Sequence, residues 1–136
     1  SQTQEEQNMD KITISTAELE LMKVLWQATS PLPVSAIIEN VQKSNDWSKN
    51  TVATMLDRLV KKSAVNRSGN CRSYLYTAAL PENEYKSAAV EKLAGQFFSG
   101  SVGAMFNFFA EDKKLTSEDV AEIKKLIEKM ESQNDC

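Results

Sequence analysis

The spacing of apolar residues predicts three short helices at the start of the chain. Residues 15–29 carry an apolar stripe at i, i+3, i+4 and i+7, headed by Ser15 and Glu18, which fit a capping box. Residues 34–44 repeat this spacing after a proline-containing break that ends the first helix. The third helix, residues 48–62, has an apolar stripe on one side and small polar or basic residues on the other.

The period then changes from that of a helix to that of a strand. Residues 64–68 and 72–78 alternate on either side of a turn containing Gly69, which predicts a β-hairpin. Ile12 and Ile14 alternate in the same way before the first helix and predict a short strand there. Three helices followed by a hairpin are the order of a winged helix-turn-helix domain.

The rest of the chain predicts three further helices, at residues 81–100, 101–113 and 115–132. Their apolar positions include two phenylalanine clusters, which a segment of this size is too small to bury alone. A core shared between two chains is therefore favoured, with a compact monomer as the alternative.

Charge is distributed unevenly, although the net charge at pH 7 is only −3. Residues 11–80 contain nine Lys or Arg and five Asp or Glu, whereas residues 81–136 contain seven and eleven. A basic part joined to an acidic part indicates that the first part meets a polyanion such as nucleic acid. Chance is the alternative explanation, because an excess of four charges over 70 residues is modest.

The composition disfavours several kinds of chemistry. The chain has no histidine, which removes Ser-His-Asp and Cys-His catalysis, histidine-ligated metals and a histidine pH switch. Cys71 and Cys136 are far apart in sequence, so neither a disulfide framework nor a zinc site is indicated. We expect no enzyme activity, no cofactor and no metal. No apolar run reaches membrane-spanning length and no leader is visible, so a cytoplasmic protein without membrane insertion is expected.

Four segments resemble the BlaI/MecI penicillinase repressor family: ISTAELELMKVLW, WSKNTVATMLDRLVKK, YLYTAAL and FNFFAEDKKLTSEDVAEI. They occur in the family's order and spacing, from about Ile12 to about Met130. The resemblance implies a transcriptional repressor that binds a palindromic operator as a homodimer. The fold expected is mainly α with a small β wing, a winged helix-turn-helix domain followed by a helical dimerisation domain. The expected divisions are a disordered tail at 1–10, a DNA-binding domain at 11–80 and a dimerisation domain at 81–136.

The resemblance assigns the helix at 48–62 to the major groove of double-stranded DNA. The family's base-contacting positions fall on Asn50, Thr51 and Thr54, and many relatives have lysine where this chain has Asn50. Basic residues later in the helix suit phosphates, and arginines on the hairpin suit a minor groove. The candidate DNA-binding residues are Ser48, Lys49, Asn50, Thr51, Thr54, Arg58, Lys61, Lys62, Arg67 and Arg72. The alternative is a solvated helix face with ordinary ion pairs, such as Asp57 with Lys61.

The resemblance also implies how such a repressor is released from its operator. In penicillinase repressors a membrane sensor-transducer that responds to β-lactam leads to cleavage, and the matching peptide bond here is Asn107–Phe108. The alternative is that Phe108 is a plain dimer-core residue. The candidate dimer-interface residues are Phe97, Phe98, Val102, Met105, Phe106, Phe109, Val120, Ile123 and Ile127.

Two other functions stay open at the level of sequence. CopY-type copper repressors are relatives of this family and respond to metal through a cysteine cluster near the C-terminus. The single Cys136 disfavours metal sensing here, unless a site is shared across a dimer. The second alternative is a winged-helix protein–protein module without DNA binding. The neighbouring genes would identify the inducing signal. Genes for a β-lactamase and a sensor protease would indicate β-lactam, whereas a gene for a copper ATPase would indicate copper.

Overall fold

The structure is a computed structural model that describes residues 12–112 and 114–134. Within these ranges the chain forms six α-helices and a three-stranded antiparallel sheet. The elements are α1 (Thr16–Gln27), β1 (Leu32–Pro33), α2 (Val34–Gln42), α3 (Lys49–Lys61), β2 (Val65–Ser68), β3 (Leu75–Ala78), α4 (Glu82–Phe97), α5 (Val102–Glu111) and α6 (Ser117–Asn134). The predicted fold, a mainly α chain with a small β wing, is confirmed. The predicted tail at residues 1–10 lies outside the described residues.

Local side-chain chemistry determines where these helices begin. At α1 the predicted capping box is confirmed: the Ser15 hydroxyl oxygen accepts from the Glu18 N–H at 3.1 Å, and the Glu18 carboxylate accepts from the Ser15 N–H at 3.0 Å. Thr116 and Asp119 make the same reciprocal pair at the start of α6. Each pair satisfies N–H groups that have no partner inside the helix.

The first three helices pack around one apolar core. The predicted stripes face inward, and Leu21, Ile37 and Leu56 are fully buried at its centre. The remaining buried core residues come from the same helices, the sheet, the connection between α3 and β2, and the segment that follows the sheet: Met22, Leu25, Val41, Val52, Met55, Leu59, Ala64, Val65, Tyr76 and Leu80. Met22 lies outside the stripe that the helical spacing predicts, which is Leu21, Val24, Leu25 and Ala28. It is nevertheless as buried as Leu21.

The sheet contains the predicted hairpin and one additional strand. Its order is β1-β3-β2, with Leu32 opposite Tyr76 and Arg67 also opposite Tyr76 on the other side. The predicted strand at Ile12 and Ile14 is wrong. Both side chains pack partly buried against the core, but they form no strand, and the edge of β3 is occupied by β1 instead.

The chain packs as two compact units that divide inside α4, between Ala88 and Ala89. The first turn of α4 belongs to the winged-helix unit because Tyr85 packs against Trp26, with ring centroids 5.7 Å apart. The Trp26 indole N–H also donates to the carbonyl oxygen of Leu80 at 2.8 Å. The assignment of DNA binding to residues 11–80 and dimerisation to residues 81–136 stays a prediction. Among the described helices, none is both long and apolar enough to cross a membrane.

Candidate nucleic-acid interface

One side of α3 is buried and the other is exposed. Val52, Leu56 and Leu59 are inaccessible to solvent, and together they anchor the helix on the core. Apart from Lys49, the exposed side chains near the start of the helix are short and polar, and apart from Asp57 those towards its end are basic. The exposed residues are Lys49, Asn50, Thr51, Thr54, Asp57, Arg58 and Lys61. Most of the DNA-binding residues predicted on this helix therefore share one surface, which a rigid anchor presents to solvent.

The start of α3 is ordered by its own polar side chains. The Ser48 hydroxyl oxygen accepts from the Thr51 N–H at 3.1 Å and lies 2.9 Å from the Thr51 hydroxyl. The Thr54 hydroxyl donates to the carbonyl oxygen of Asn50 at 2.8 Å. The Thr54 oxygen thus keeps its capacity to accept, while the exposed Asn50 amide offers both a donor and an acceptor. Groups of this kind can read base edges in a major groove.

The ammonium of Lys62, a candidate phosphate ligand from the sequence, contacts groups inside the winged-helix unit. Its Nζ lies 2.7 Å and 2.9 Å from the two carboxylate oxygens of Glu18, and 2.8 Å from the carbonyl oxygen of Thr13. An ammonium has three protons, and these three acceptors match them. Lys62 therefore joins the end of α3 to the start of α1, and its charge is engaged inside the domain.

Glu18 is the buried partner of this ion pair, with only 3% of its surface exposed. Burial raises the pKa of Glu18, but hydrogen bonds from Lys62 and Ser15 act in the opposite direction and prevail, so the pKa is lowered from its ordinary 4.5. The carboxylate is charged at neutral pH and caps α1 while holding α3. The sequence shows Glu18 as a capping residue, but no spacing rule relates it to a lysine 44 residues away.

The wing consists of β2, β3 and the intervening turn, residues 69–74. Gly69 has φ +92°, and a Cβ there would lie 2.8 Å from the carbonyl oxygen of Ser73, so the turn requires glycine. The Asn70 side chain accepts from the backbone N–H of Arg72 at 3.1 Å. The Arg72 side chain itself is exposed on this turn, where a polyanion can reach it.

Arg67, the other predicted wing arginine, packs towards α3. Its guanidinium donates to the Asp57 carboxylate at 3.0 Å and lies over the Tyr74 ring, 4.5 Å from the centroid. The pKa of Arg67 is raised, mainly by a hydrogen bond with its cross-strand neighbour Tyr76 and also by the Asp57 carboxylate. Asp57 therefore pairs across elements with Arg67 rather than along its own helix with Lys61.

No group of three or more acidic or cysteine side chains that could hold a metal ion occurs among the described residues. Cys71 is an exposed free thiol on the turn of the wing. Cys136 lies outside the described residues.

The second unit exposes most of its large apolar side chains. Only Ala94 and Met105 are buried apolar residues in the described part of this unit. Of the predicted dimer-interface residues, Phe98, Phe109 and Ile123 are half-buried and five others are exposed: Phe97, Val102, Phe106, Val120 and Ile127. Asn107 and Phe108 are both exposed on α5, and the Phe108 ring lies between those of Phe98 and Phe109, at centroid distances of 5.8 Å and 6.1 Å.

A family model described as Penicillinase repressor matches residues 14–129, which span the boundary between the two units. The chain belongs to the penicillinase repressor family. The penicillinase repressor of Bacillus licheniformis is 34% identical over 115 residues, which cover 85% of this chain and 89% of that protein. The methicillin resistance regulatory protein MecI of Staphylococcus aureus strain N315 is 26% identical over 85% of this chain and 94% of its own.

Among solved structures, this chain is similar to the monomeric form of Bacillus licheniformis BlaI in complex with the blaP half-operator. The two chains are 42% identical over 55% of this chain and 92% of that chain, with a TM-score of 0.48. The resemblance read from the four sequence segments is thus confirmed by the family match.

Proposed function

We propose that this protein is a transcriptional repressor that binds operator DNA in the cytoplasm, with α3 in the major groove and the wing on the adjacent backbone. The observation that carries the proposal is the exposed face of α3, in a chain of the penicillinase repressor family. Its short side chains permit close approach to base pairs, and its later basic residues suit phosphates. The acidic residue on this face, Asp57, is paired with Arg67 and so presents a partly neutralised charge.

The residues of α3 divide into two roles in this proposal. Asn50, Thr51 and Thr54 contact base edges, because their side chains are short, exposed and able to donate or accept hydrogen bonds. Phosphates are held by the basic side chains of Lys49, Arg58 and Lys61. The free N–H groups at the start of the helix, next to its N-cap Ser48, also suit a phosphate. Lys62 is left out, because its ammonium is paired with Glu18.

The direct test is a titration of the wild-type protein with DNA from upstream of its own gene, against scrambled DNA at the same salt concentration. We expect the upstream DNA to bind at least about 10³-fold more tightly, the lower end for sequence-specific DNA-binding proteins. Equal affinity for both DNAs contradicts the proposal and favours a winged-helix protein–protein module.

Asn50→Ala is expected to reduce sequence discrimination more than general DNA affinity. Its amide is exposed on the first turn of α3, and a bidentate contact of this kind contributes about 1–3 kcal/mol of discrimination against the wrong base. Binding to the operator should weaken accordingly, while binding to scrambled DNA changes little. Asn83→Ala is the matched control, because Asn83 is an exposed amide on the first turn of α4, outside the proposed interface. Equal losses on both DNAs would place Asn50 on the phosphate backbone.

The second unit supports a homodimer on a palindromic operator. Its apolar side chains are too exposed for a self-contained core, and burying them against a second copy removes that surface from water. A two-fold axis then places two α3 helices on successive half-sites, about 34 Å apart along B-DNA.

Release from DNA is proposed to follow cleavage of Asn107–Phe108, prompted by a membrane sensor-transducer of β-lactam. The bond lies in α5, whose exposed apolar side chains are proposed to be buried in the dimer, so cutting this helix would also separate the protomers and remove bivalent binding. In cells that contain such a sensor, mass spectrometry of the repressor after β-lactam exposure should show a fragment ending at Asn107. An intact chain together with a derepressed target gene contradicts cleavage and favours copper or another signal.

A further inference from the structure

An ion pair connects α3 to the wing in the winged-helix unit. Asp57 lies on the exposed side of α3, one turn after Thr54, and its carboxylate is 3.0 Å from the guanidinium of Arg67 on β2. The same guanidinium stacks on Tyr74, immediately before β3. This arginine of β2 thus contacts both α3 and the last residue of the wing turn.

We propose that Asp57 and Arg67 are positioning residues that fix the wing against α3, so that Arg72 on the wing turn reaches the DNA backbone. This inference rests on the proposed function. It assigns Arg67 to an internal contact, although sequence reasoning places both wing arginines on DNA. It also explains why an acidic side chain stands on a face that otherwise suits a polyanion.

The negative charge of Asp57 means that the direction of a change in DNA affinity can test this positioning role. A carboxylate beside a polyanion is repelled by it, so removing an Asp57 that did nothing else should tighten DNA binding. If Asp57 holds Arg67 and the wing, removing it should weaken binding instead. The sign of the change therefore separates the two possibilities.

The pair is exposed enough for its variants to fold. The Asp57 side chain is 58% exposed and that of Arg67 is 31% exposed, and surface ion pairs contribute little to stability. Asp57→Asn and Arg67→Gln keep side-chain size while removing the charge. Asp46→Asn is the control, because Asp46 is also exposed and lies two residues before the N-cap of α3.

The first experiment measures operator affinity as a function of salt for the full-length variants. We expect Asp57→Asn and Arg67→Gln each to weaken binding about threefold to tenfold, because binding must then also immobilise the freed wing. The double variant should be no weaker than either single variant. Asp46→Asn should bind as tightly as wild type or slightly more tightly.

The slope of log affinity against log salt provides a second criterion. Arg72→Ala should lower this slope by about 0.9 per protomer, the value for one lost phosphate contact. Asp57→Asn, which removes no cation, should lower it in the same way, and should add nothing in the Arg72→Ala background. Tighter binding by Asp57→Asn overturns the inference. So does a slope lowered by Arg67→Gln and left unchanged by Asp57→Asn, which would make Arg67 a phosphate ligand.

A measurement without DNA separates this inference from the proposed function. Backbone ¹⁵N order parameters of the wing turn, residues 69–74, should fall in Asp57→Asn and Arg67→Gln relative to wild type and to Asp46→Asn. An unchanged turn overturns the positioning role even if the wild type binds its operator. Failure of the wild type to prefer operator DNA, with the turn loosened as expected, overturns the proposed function alone.

Discussion

Phe106→Glu is expected to convert the proposed dimer to a monomer and to lower operator affinity by about 10²- to 10⁴-fold. Phe106 lies on α5 with 46% of its surface exposed, in a unit where other large apolar side chains are exposed as well. If Phe106 is buried in the proposed dimer, a charge placed there must be desolvated without a partner, which opposes association. The loss of affinity then follows because each half-site is held by one α3 alone, without the gain from bivalent binding.

Sedimentation velocity at micromolar protein and a parallel operator titration check this prediction. Ser132→Glu is the matched control, because it introduces the same charge at an exposed polar position of α6. The control should sediment and bind as wild type. A Phe106→Glu protein that sediments as wild type would remove Phe106 from the interface, and a monomeric wild type would contradict the proposed dimer.

The dimer prediction also has a thermodynamic consequence. If the second unit completes its core only in the dimer, its unfolding is coupled to dissociation, and the wild-type melting temperature should rise with protein concentration. The winged-helix unit has its own buried core around Leu21, Ile37 and Leu56, so its unfolding should depend less on concentration. These expectations belong to the same test, since Phe106→Glu should abolish the concentration dependence.

Much of the fold could be predicted from sequence because its determinants are local. The capping box at Ser15 and Glu18 and the stripe from Val52 to Leu59 are each defined within a few turns of helix. The hairpin follows from strand alternation around Gly69. Ile12 and Ile14 show the limit of such reasoning, because alternation reports which side chains face the core and not whether a neighbouring strand is available.

The candidate site could be predicted less completely, because its ion pairs join elements distant in sequence. Arg67 has the charge and hydrogen-bond donors of a DNA ligand, but its position opposite Tyr76 brings its guanidinium to the Asp57 carboxylate. Lys62 follows Lys61 in a basic run, yet Lys61 is exposed whereas the ammonium of Lys62 is paired with Glu18. Which of two adjacent lysines is free depends on how α1 packs on α3, and periodicity within one helix does not contain that information.

Lys62→Met is expected to lower the free energy of unfolding by about 1–3 kcal/mol at pH 7, the range for a buried polar group left without its partner. The side chain keeps its length, but the buried Glu18 carboxylate loses its cation and two short hydrogen bonds. The effect stays below that of a fully buried pair because 34% of the Lys62 side chain is exposed and water can replace part of the contact. Urea unfolding at fixed protein concentration measures this change in the free energy of unfolding. Lys61→Met is the control, because it removes the same charge from the neighbouring residue.

The pH dependence of this difference follows from the lowered pKa of Glu18. A carboxyl whose pKa is lower in the folded state stabilises the fold at pH values above its ordinary 4.5, and this contribution is lost as the pH falls through the folded-state value. The difference between wild type and Lys62→Met should therefore be full at pH 7 and shrink below pH 4.5, as Glu18 becomes neutral in both proteins. Glu18→Gln should show the same trend, and the Glu18→Gln/Lys62→Met double variant should lose less than the sum of the two.

The same variant distinguishes an internal lysine from a phosphate ligand. If Lys62 held DNA, Lys62→Met would leave stability unchanged and lower the salt slope of operator binding by about 0.9 per protomer. With Lys62 engaged at Glu18 and Thr13, the opposite combination is expected: a clear loss of stability and an unchanged salt slope. Lys61→Met should give the reverse pattern, because Lys61 is exposed on the face of α3 that is proposed to meet the phosphates. Two adjacent lysines at the end of one helix would then separate the folding role of this basic run from its binding role.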